Sequence, residues 1–137
     1  MLQKKISVEV YIDGAARGNP GQAGIGILIR KGSRNILELG EYIGETTNNV
    51  AEYQALIRGL EEVLLLSEKS AHFYSDSELL VRQINGQYRV KKEHLKSLCR
   101  HAQTLIKKLD KFSISHIPRE KNKETDRLAN LGIDKHT

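Results

Sequence analysis

The sequence predicts an α/β protein built on a mixed five-stranded sheet with flanking helices. The N-terminal third alternates apolar and polar residues, which is the period of half-buried strands. Helical spacing then takes over, and two short strand patterns lie between the helices. Strands joined by short turns run antiparallel, whereas strands separated by helices run parallel, so the sheet should contain both. The length of 137 residues indicates a single domain over residues 1–137.

The first three strands should form an antiparallel meander. Apolar alternation places the first strand at 6–12, and a segment rich in glycine and proline, 18–24, is predicted to be a turn. The second strand is centred on 25–29. A basic turn at 31–35 leads to the third strand, at 36–43.

The rest of the chain alternates helices with single strands, and Ser77 is the expected N-cap of the second helix. Together with the meander this gives the order β-β-β-α-β-α-α-β-α. The predicted bounds are a helix at 49–67, a strand at 71–76, a helix at 77–85, a helix from about 91 to 109, a strand at 112–118 and a helix at 122–133.

Composition restricts the classes of function. The net charge of +5 and the pI near 9.4 suit a polyanionic partner. No apolar run approaches the roughly 20 residues of a membrane span, and no signal peptide is recognisable at residue 1, so we expect a cytoplasmic protein that avoids membranes. The single Cys99 excludes an intramolecular disulfide and a cysteine-based zinc site, and its place on an apolar helical stripe predicts a packing role.

Four carboxylates lie at positions in the predicted fold that favour a functional site. Asp13 is expected to end the first strand and Asp76 the fourth, and sites gather at the carboxyl ends of parallel strands. Glu52 and Asp126 lie early in helices, on the apolar faces, so none of the four resembles a solvated surface acid. Each also has a structural alternative in a turn, a helix cap or the helix dipole.

Four acids near one end of a sheet would repel one another, and their pKa values would rise unless cations kept them ionised. Oxygen-only ligands favour Mg²⁺ or Mn²⁺ over zinc. Two such ions, roughly 4 Å apart, can activate water and stabilise the leaving oxygen of a phosphodiester.

The segments YIDGAARGNPGQAGIGI, TTNNVAEYQAL, YSDSELLVRQI and NKETDRLAN resemble type 1 ribonuclease H (ribonuclease HI) along nearly the whole chain. The resemblance implies a ribonuclease H-like fold and a magnesium-dependent endoribonuclease, active as a monomer, that cuts the RNA strand of RNA–DNA hybrids. It maps the family's catalytic and metal-binding quartet onto Asp13, Glu52, Asp76 and Asp126. It further implies two-metal-ion catalysis that leaves 5′-phosphate and 3′-hydroxyl ends. The absence of tryptophan and the short link between Asn85 and Lys91 indicate the compact form, without the basic protrusion.

The resemblance also implies substrate contacts. Asn19 and Asn49 would meet RNA sugar or base edges, and Glu78 follows where the family often has glutamine. Thr47 resembles the contact to a DNA phosphate, and Asn48 lies beside it. Small amides suit the 2′-hydroxyl, which distinguishes RNA from DNA. Helix capping is the alternative role for Asn48 and Asn49.

A mobile histidine, which assists proton transfer or product release in better-known members, has no clear counterpart. His116, Arg119 and Glu120 are all candidates, and His116 also fits the pattern of the last strand. Basic residues could replace the missing protrusion, or they could simply be the solvated face of an amphipathic helix; they are Arg89, Lys91, Lys92, Lys96, Arg100, Lys107 and Lys108.

Three other functions fit the same motifs. The chain could be a hybrid-binding module without cleavage, a broader nuclease that also cuts double-stranded RNA, or the nuclease domain of a reverse transcriptase. An intact quartet favours an active enzyme over a silent module.

Overall fold

The computed structural model describes residues 7–136. Its elements follow the predicted order, with one added turn of 3₁₀-helix before the last helix. The strands are β1 (Val8–Gly18), β2 (Gly21–Lys31), β3 (Arg34–Thr46), β4 (Ser70–Ser75) and β5 (Lys111–His116). The helices are α1 (Asn48–Leu65), α2 (Glu78–Ile84), α3 (Glu93–Ile106), the 3₁₀ turn (Arg119–Lys121) and α4 (Lys123–His136).

The five strands form one mixed sheet in the order β3-β2-β1-β4-β5. β1 and β2, and β2 and β3, pair antiparallel as a meander, while β4 runs parallel to β1 and β5 parallel to β4. The predicted fold class is therefore confirmed. The parallel strands end at the same edge of the sheet, which brings the segments that follow β4 and β5 close to the middle of β1.

The turn predicted at 18–24 is present, but its bounds are wrong because it spans only residues 19–20. β1 continues to Gly18 and β2 begins at Gly21, so the connection is a tight hairpin. Asp13 therefore does not end β1 but lies opposite Gly26 in the β1–β2 ladder. It nevertheless follows Ile12, the last residue of β1 that pairs with β4, so it lies where the parallel ladder ends. The predicted start of the first strand at residue 6 lies outside the described residues.

The two faces of the sheet are covered differently. α1 packs on one face, where Leu56, Leu60 and Val63 contact strand residues such as Val10 and Phe73 in a buried core. α4 packs on the other face, mainly over β2 and β3. Among residues 7–136, no helix is both long and apolar enough to cross a membrane.

The helix starts explain two of the sequence predictions. The Oγ of Ser77 accepts a hydrogen bond from the backbone N–H of Leu80 at 3.2 Å, so the predicted cap of α2 is confirmed. At α1 the cap is Thr47, whose Oγ1 accepts from the N–H of Val50 at 3.2 Å. The alternative capping role for Asn48 and Asn49 is therefore wrong, because both lie inside the first turn. Cys99 is half-buried against the core, as predicted for a packing residue.

Candidate active site

Asp13 and Glu52 are brought together by the close approach of α1 to β1. A Cβ on Gly14 would lie 2.4 Å from the backbone nitrogen of Glu52, so only glycine allows the helix this close. The N–H of Gly14 donates a hydrogen bond to Oε1 of Glu52 at 2.5 Å. Both carboxylates are buried, Asp13 at 5% and Glu52 at 4% exposure. The strand and the helix thereby fix two acids in a site with little access to solvent.

Asp76 completes a cluster of three acids. It directly follows β4 and is half-buried, and one carboxylate oxygen from each of Asp13, Glu52 and Asp76 lies within 4.8 Å of the others. The local backbone after β4 is held by Ser75, whose buried hydroxyl accepts from the N–H of Ser77 at 3.0 Å. Three converging carboxylates are the donor set that Mg²⁺ and Mn²⁺ prefer in proteins, so the residues present fit such an ion.

Asp126, the fourth predicted acid, lies at the rim. It belongs to the first turn of α4 and is exposed, so the expectation that it would not resemble a surface acid is wrong. Its carboxyl still reaches the carboxyl of Asp13 closely enough to form a hydrogen bond when one of them is protonated. α4 can pack this close to β2 because Gly26 has no side chain: a Cβ at this position would lie 2.0 Å from the carbonyl oxygen of Thr125.

The electrostatics of the cluster disfavour ionisation without a cation. Burial, and then the charges of Glu52, Asp76 and Asp126, raise the pKa of Asp13 to about 9. Burial raises the pKa of Glu52 to about 8, although the hydrogen bond from Gly14 opposes the shift. A bound divalent cation would reverse this balance, because it stabilises the ionised form of each carboxylate.

Asn122 is a site residue that was not among the predicted ones, although it begins the segment NKETDRLAN. It is 2% exposed, and its Nδ2 donates to the carbonyl oxygen of Ile12 at 2.9 Å and to Oδ2 of Asp76 at 3.4 Å. Its Oδ1 accepts a hydrogen bond from the hydroxyl of Thr125. One buried amide thus joins the strand before Asp13, the acid after β4 and the start of α4. A single asparagine at the start of a helix is usually interpreted as a helix cap, so only the folded structure shows that this one also contacts Asp76 and the strand before Asp13.

Four of the five predicted substrate residues lie near the start of α1, and the fifth, Glu78, begins α2. The Oδ1 of Asn19, in the β1–β2 hairpin, accepts from the N–H of Asn48 at 3.1 Å, which ties the hairpin to the helix. Asn19, Asn48 and Asn49 are exposed, and Thr47 is half-buried. Glu78 is also exposed and forms an ion pair with Arg82 at 2.9 Å. Their substrate roles stay predictions.

Two of the three candidates for the mobile group lie in the loop before α4. Arg119 and Glu120 are exposed residues of the 3₁₀ turn, whereas His116 is the last residue of β5 and pairs with Ser75. Burial raises the pKa of Glu52, and the positive charge of Arg119 opposes a part of that shift. The role of a mobile group stays a prediction for all three residues.

Comparison with known proteins is consistent with this geometry. Residues 11–132 match the reverse transcriptase-like family model. A ribonuclease H from Legionella pneumophila is 35% identical over 149 aligned positions, which cover 94% of this chain and 98% of the relative. The chain belongs to the ribonuclease H family. The crystal structure of RNase H1 from the archaeon Halobacterium salinarum is 37% identical and superposes with a TM-score of 0.92, covering 94% of this chain and 98% of that one.

A second ribonuclease H structure bears on the ligand. LC11-RNase H1, crystallised in complex with an RNA/DNA hybrid, is 43% identical with a TM-score of 0.91, covering 95% of this chain and 99% of that one. Some relatives are longer. The chain spans only 36% of a bifunctional protein of Mycobacterium tuberculosis to which it is 37% identical over 131 residues. The ribonuclease H fold is therefore found both by itself and as part of larger proteins.

Proposed function

We propose that this ribonuclease H domain is a metal-dependent endonuclease that hydrolyses the RNA strand of RNA–DNA hybrids. The observation that carries the proposal is the cluster of Asp13, Glu52 and Asp76, with carboxylate oxygens within 4.8 Å of one another, in a member of this family. The hybrid bound to LC11-RNase H1 supports the choice of substrate.

Two Mg²⁺ ions are the proposed cofactors, and Mn²⁺ is the alternative. Asp13, Glu52 and Asp76, whose oxygens lie within 4.8 Å of one another, would hold them together with Asp126 at the rim. Burial raises the pKa of Asp13 to about 9 and of Glu52 to about 8, so bound cations would be needed to keep these two acids ionised. Bound ions of this kind supply charge stabilisation to a phosphodiester and lower the pKa of a coordinated water.

The residues of the chain supply positioning. The Gly14 N–H fixes one oxygen of Glu52, and the Asn122 amide fixes Asp76 relative to β1, so neither acid must be reoriented when substrate binds. In the proposed hydrolysis the water oxygen forms a bond to phosphorus and the bond from phosphorus to the 3′-oxygen breaks. The products are a 5′-phosphate and a 3′-hydroxyl.

Recognition of RNA is assigned to the exposed amides at the start of α1. Asn19 and Asn49 can donate to and accept from a 2′-hydroxyl, which DNA lacks. Thr47, with Asn48 beside it, is proposed to contact a phosphate of the DNA strand. Glu78, after β4, is proposed to face the same substrate surface.

The deciding experiment incubates the protein with Mg²⁺ or Mn²⁺ on four labelled substrates: RNA–DNA hybrid, double-stranded RNA, double-stranded DNA and single-stranded RNA. Wild type should cut only the RNA strand of the hybrid, and Asp13→Asn should lose at least about 10³-fold in rate, because a group acting on the developing charge is removed. Asp110→Asn, an exposed aspartate outside the site, is the matched control and should cut normally.

The other outcomes separate the alternatives. Tight hybrid binding without cutting in either metal would identify a binding module. Cutting of double-stranded RNA as well would identify the broader nuclease. Near-normal turnover by Asp13→Asn would refute the assignment of the site.

A further inference from the structure

The positive charge of this protein is concentrated on one segment. Residues 89–108 contain seven basic residues and one acidic residue, Glu93, which gives +6. The whole chain carries +5, so the other 117 residues together carry −1. This segment comprises α3 and the link that precedes it. The basic character of the protein is therefore a property of this segment and not of the rest of the chain.

The basic side chains form a line along α3. Lys92, Lys96 and Arg100 are spaced by four residues and Lys107 continues the line, which places them on one side of the helix. The opposite side contains Leu95, Ala102 and Leu105, which are buried. With a rise of 1.5 Å per residue, the line is about 22 Å long, roughly the length of six base-pair steps.

This line is not a typical solvated helix face. Such faces mix charges of both signs at spacings of three or four residues, as Arg58 and Glu62 do on α1 at 3.2 Å. On α3 only Lys96 has such a partner, Glu93, at 3.2 Å. Within residues 7–136, Arg100 and Lys107 form no ion pair.

The surface beside the line is concave. A groove of about 480 Å³ is lined by Lys96, Arg100 and Lys107 and by the smaller or uncharged residues Val90, Cys99, Gln103 and Thr104. Another groove of about 480 Å³ lies at the start of α3, where Arg89, Lys91 and Lys92 meet Asn49 of α1. Val90 lines the first groove and its two neighbours line the second, so the grooves adjoin and lead toward the proposed substrate surface.

We propose that Lys92, Lys96, Arg100 and Lys107, here called the α3 track, bind the sugar–phosphate backbone of the hybrid outside the active site. A concave surface lined by cations on one side of a helix, of which only Lys96 has an acidic partner among the described residues, is complementary to a row of phosphates. Such contacts carry no sequence information but extend the bound length of the duplex. The proposal rests on the proposed function for the identity of the duplex.

The test measures binding, so that it does not depend on cleavage. In an Asp13→Asn background, the triple variant Lys96→Gln/Arg100→Gln/Lys107→Gln is compared with the control Arg34→Gln/Lys69→Gln/Lys135→Gln. The control removes three exposed basic residues from other parts of the described structure, and so changes the net charge equally. Affinities for hybrids of about 8 and about 24 base pairs are measured from about 50 to about 200 mM salt.

The track variant should bind the long hybrid more weakly. The slope of the logarithm of its binding constant against the logarithm of salt concentration should be less steep by about 2.7, which is about 0.9 for each of three lost phosphate contacts. Asp13→Asn alone should therefore lose roughly 40-fold more affinity than the track variant across that salt range. The short hybrid should show little difference between these two proteins, and the control should match the slope of Asp13→Asn alone. A charge-preserving variant, Lys96→Arg/Arg100→Lys/Lys107→Arg, should also keep the unreduced salt slope.

Two results would overturn the track. One is an unchanged slope on the long hybrid with the track variant, and the other is an equal loss with the control. Unaltered circular dichroism and melting temperature establish that the variants are folded. Failure of the proposed function would appear separately, as absence of metal-dependent cutting by the wild-type protein.

Discussion

At the scale of single residues, the site is distinguished by acids that are hard to ionise. Asp13 has an ordinary pKa of 3.8, and burial followed by the neighbouring carboxylates raises it to about 9. Since the folded pKa lies above the unfolded one, the acid costs stability once the pH exceeds about 4, and the cost is complete above about 9. Near neutral pH the unfolded chain has Asp13 ionised, so folding of the metal-free protein requires this acid to take up a proton, and that requirement lowers stability.

Asp13→Asn should for this reason raise the melting temperature of the metal-free protein. The gain should be small near pH 5 and should grow toward pH 9, with about 3 °C for each kcal/mol of repulsion that is removed. Thermal unfolding in the presence of a chelator, from about pH 5 to about pH 9, measures this gain in melting temperature. The control Asp110→Asn should show no such trend. A lower melting temperature for Asp13→Asn at pH 8 would contradict the electrostatic account.

Asn122 supports a second residue-scale prediction, because its amide joins Ile12, Asp76 and Thr125. Asn122→Ala should cost about 1–3 kcal/mol of stability, since buried partners lose their hydrogen bonds. It should also raise the Mg²⁺ concentration needed for half-maximal cleavage, because Asp76 is no longer held in place. Asn85→Ala is the matched control: its amide donates to the Ile114 carbonyl oxygen at 3.4 Å and does not touch the acids. If both variants had the same metal requirement, Asn122 would be structural only.

At the scale of elements, the start of α1 combines folding with the proposed recognition. Thr47 caps the helix through Val50, and the same helix carries Glu52 and Asn49. Thr47→Val keeps the shape but removes the cap, and should cost about 1 kcal/mol of unfolding free energy. Thr47→Ser retains the hydroxyl and should therefore keep most of the unfolding free energy that Thr47→Val loses. Urea unfolding measures both variants, and equal stability of the two would exclude the cap as a contributor.

The elements also show what the sequence could and could not predict. Periodicity gave the order and type of the strands and helices, because burial of one face determines both. It misplaced the end of β1, because glycines that allow close packing were interpreted as turn residues. Gly14 is required by the backbone of α1, nearly forty positions further along the chain, and no local pattern contains that neighbour. Asn122 was missed for the same reason.

At the scale of the whole molecule, charge is segregated between two regions. The acids occupy the edge of the sheet, and α3 with its link carries more positive charge than the entire chain. A polyanionic duplex would be attracted to α3, and it would be repelled by the metal-free acids at any pH at which they are ionised. Metal binding would remove that repulsion, so the proposed substrate and cofactor should support each other's binding.

Metal binding should therefore stabilise the whole fold in a pH-dependent way. Mg²⁺ binds the ionised carboxylates, whereas the metal-free site retains protons up to the pKa values of about 8 for Glu52 and about 9 for Asp13. At a fixed Mg²⁺ concentration, the rise in melting temperature over the chelated protein should increase from about pH 6 to about pH 9. Thermal scans in paired buffers measure it, with Asp110→Asn expected to behave as wild type and Asp13→Asn expected to lose most of the rise. A rise that is independent of pH, or that persists in Asp13→Asn, would mean that Mg²⁺ stabilises the protein from somewhere other than the carboxylate cluster.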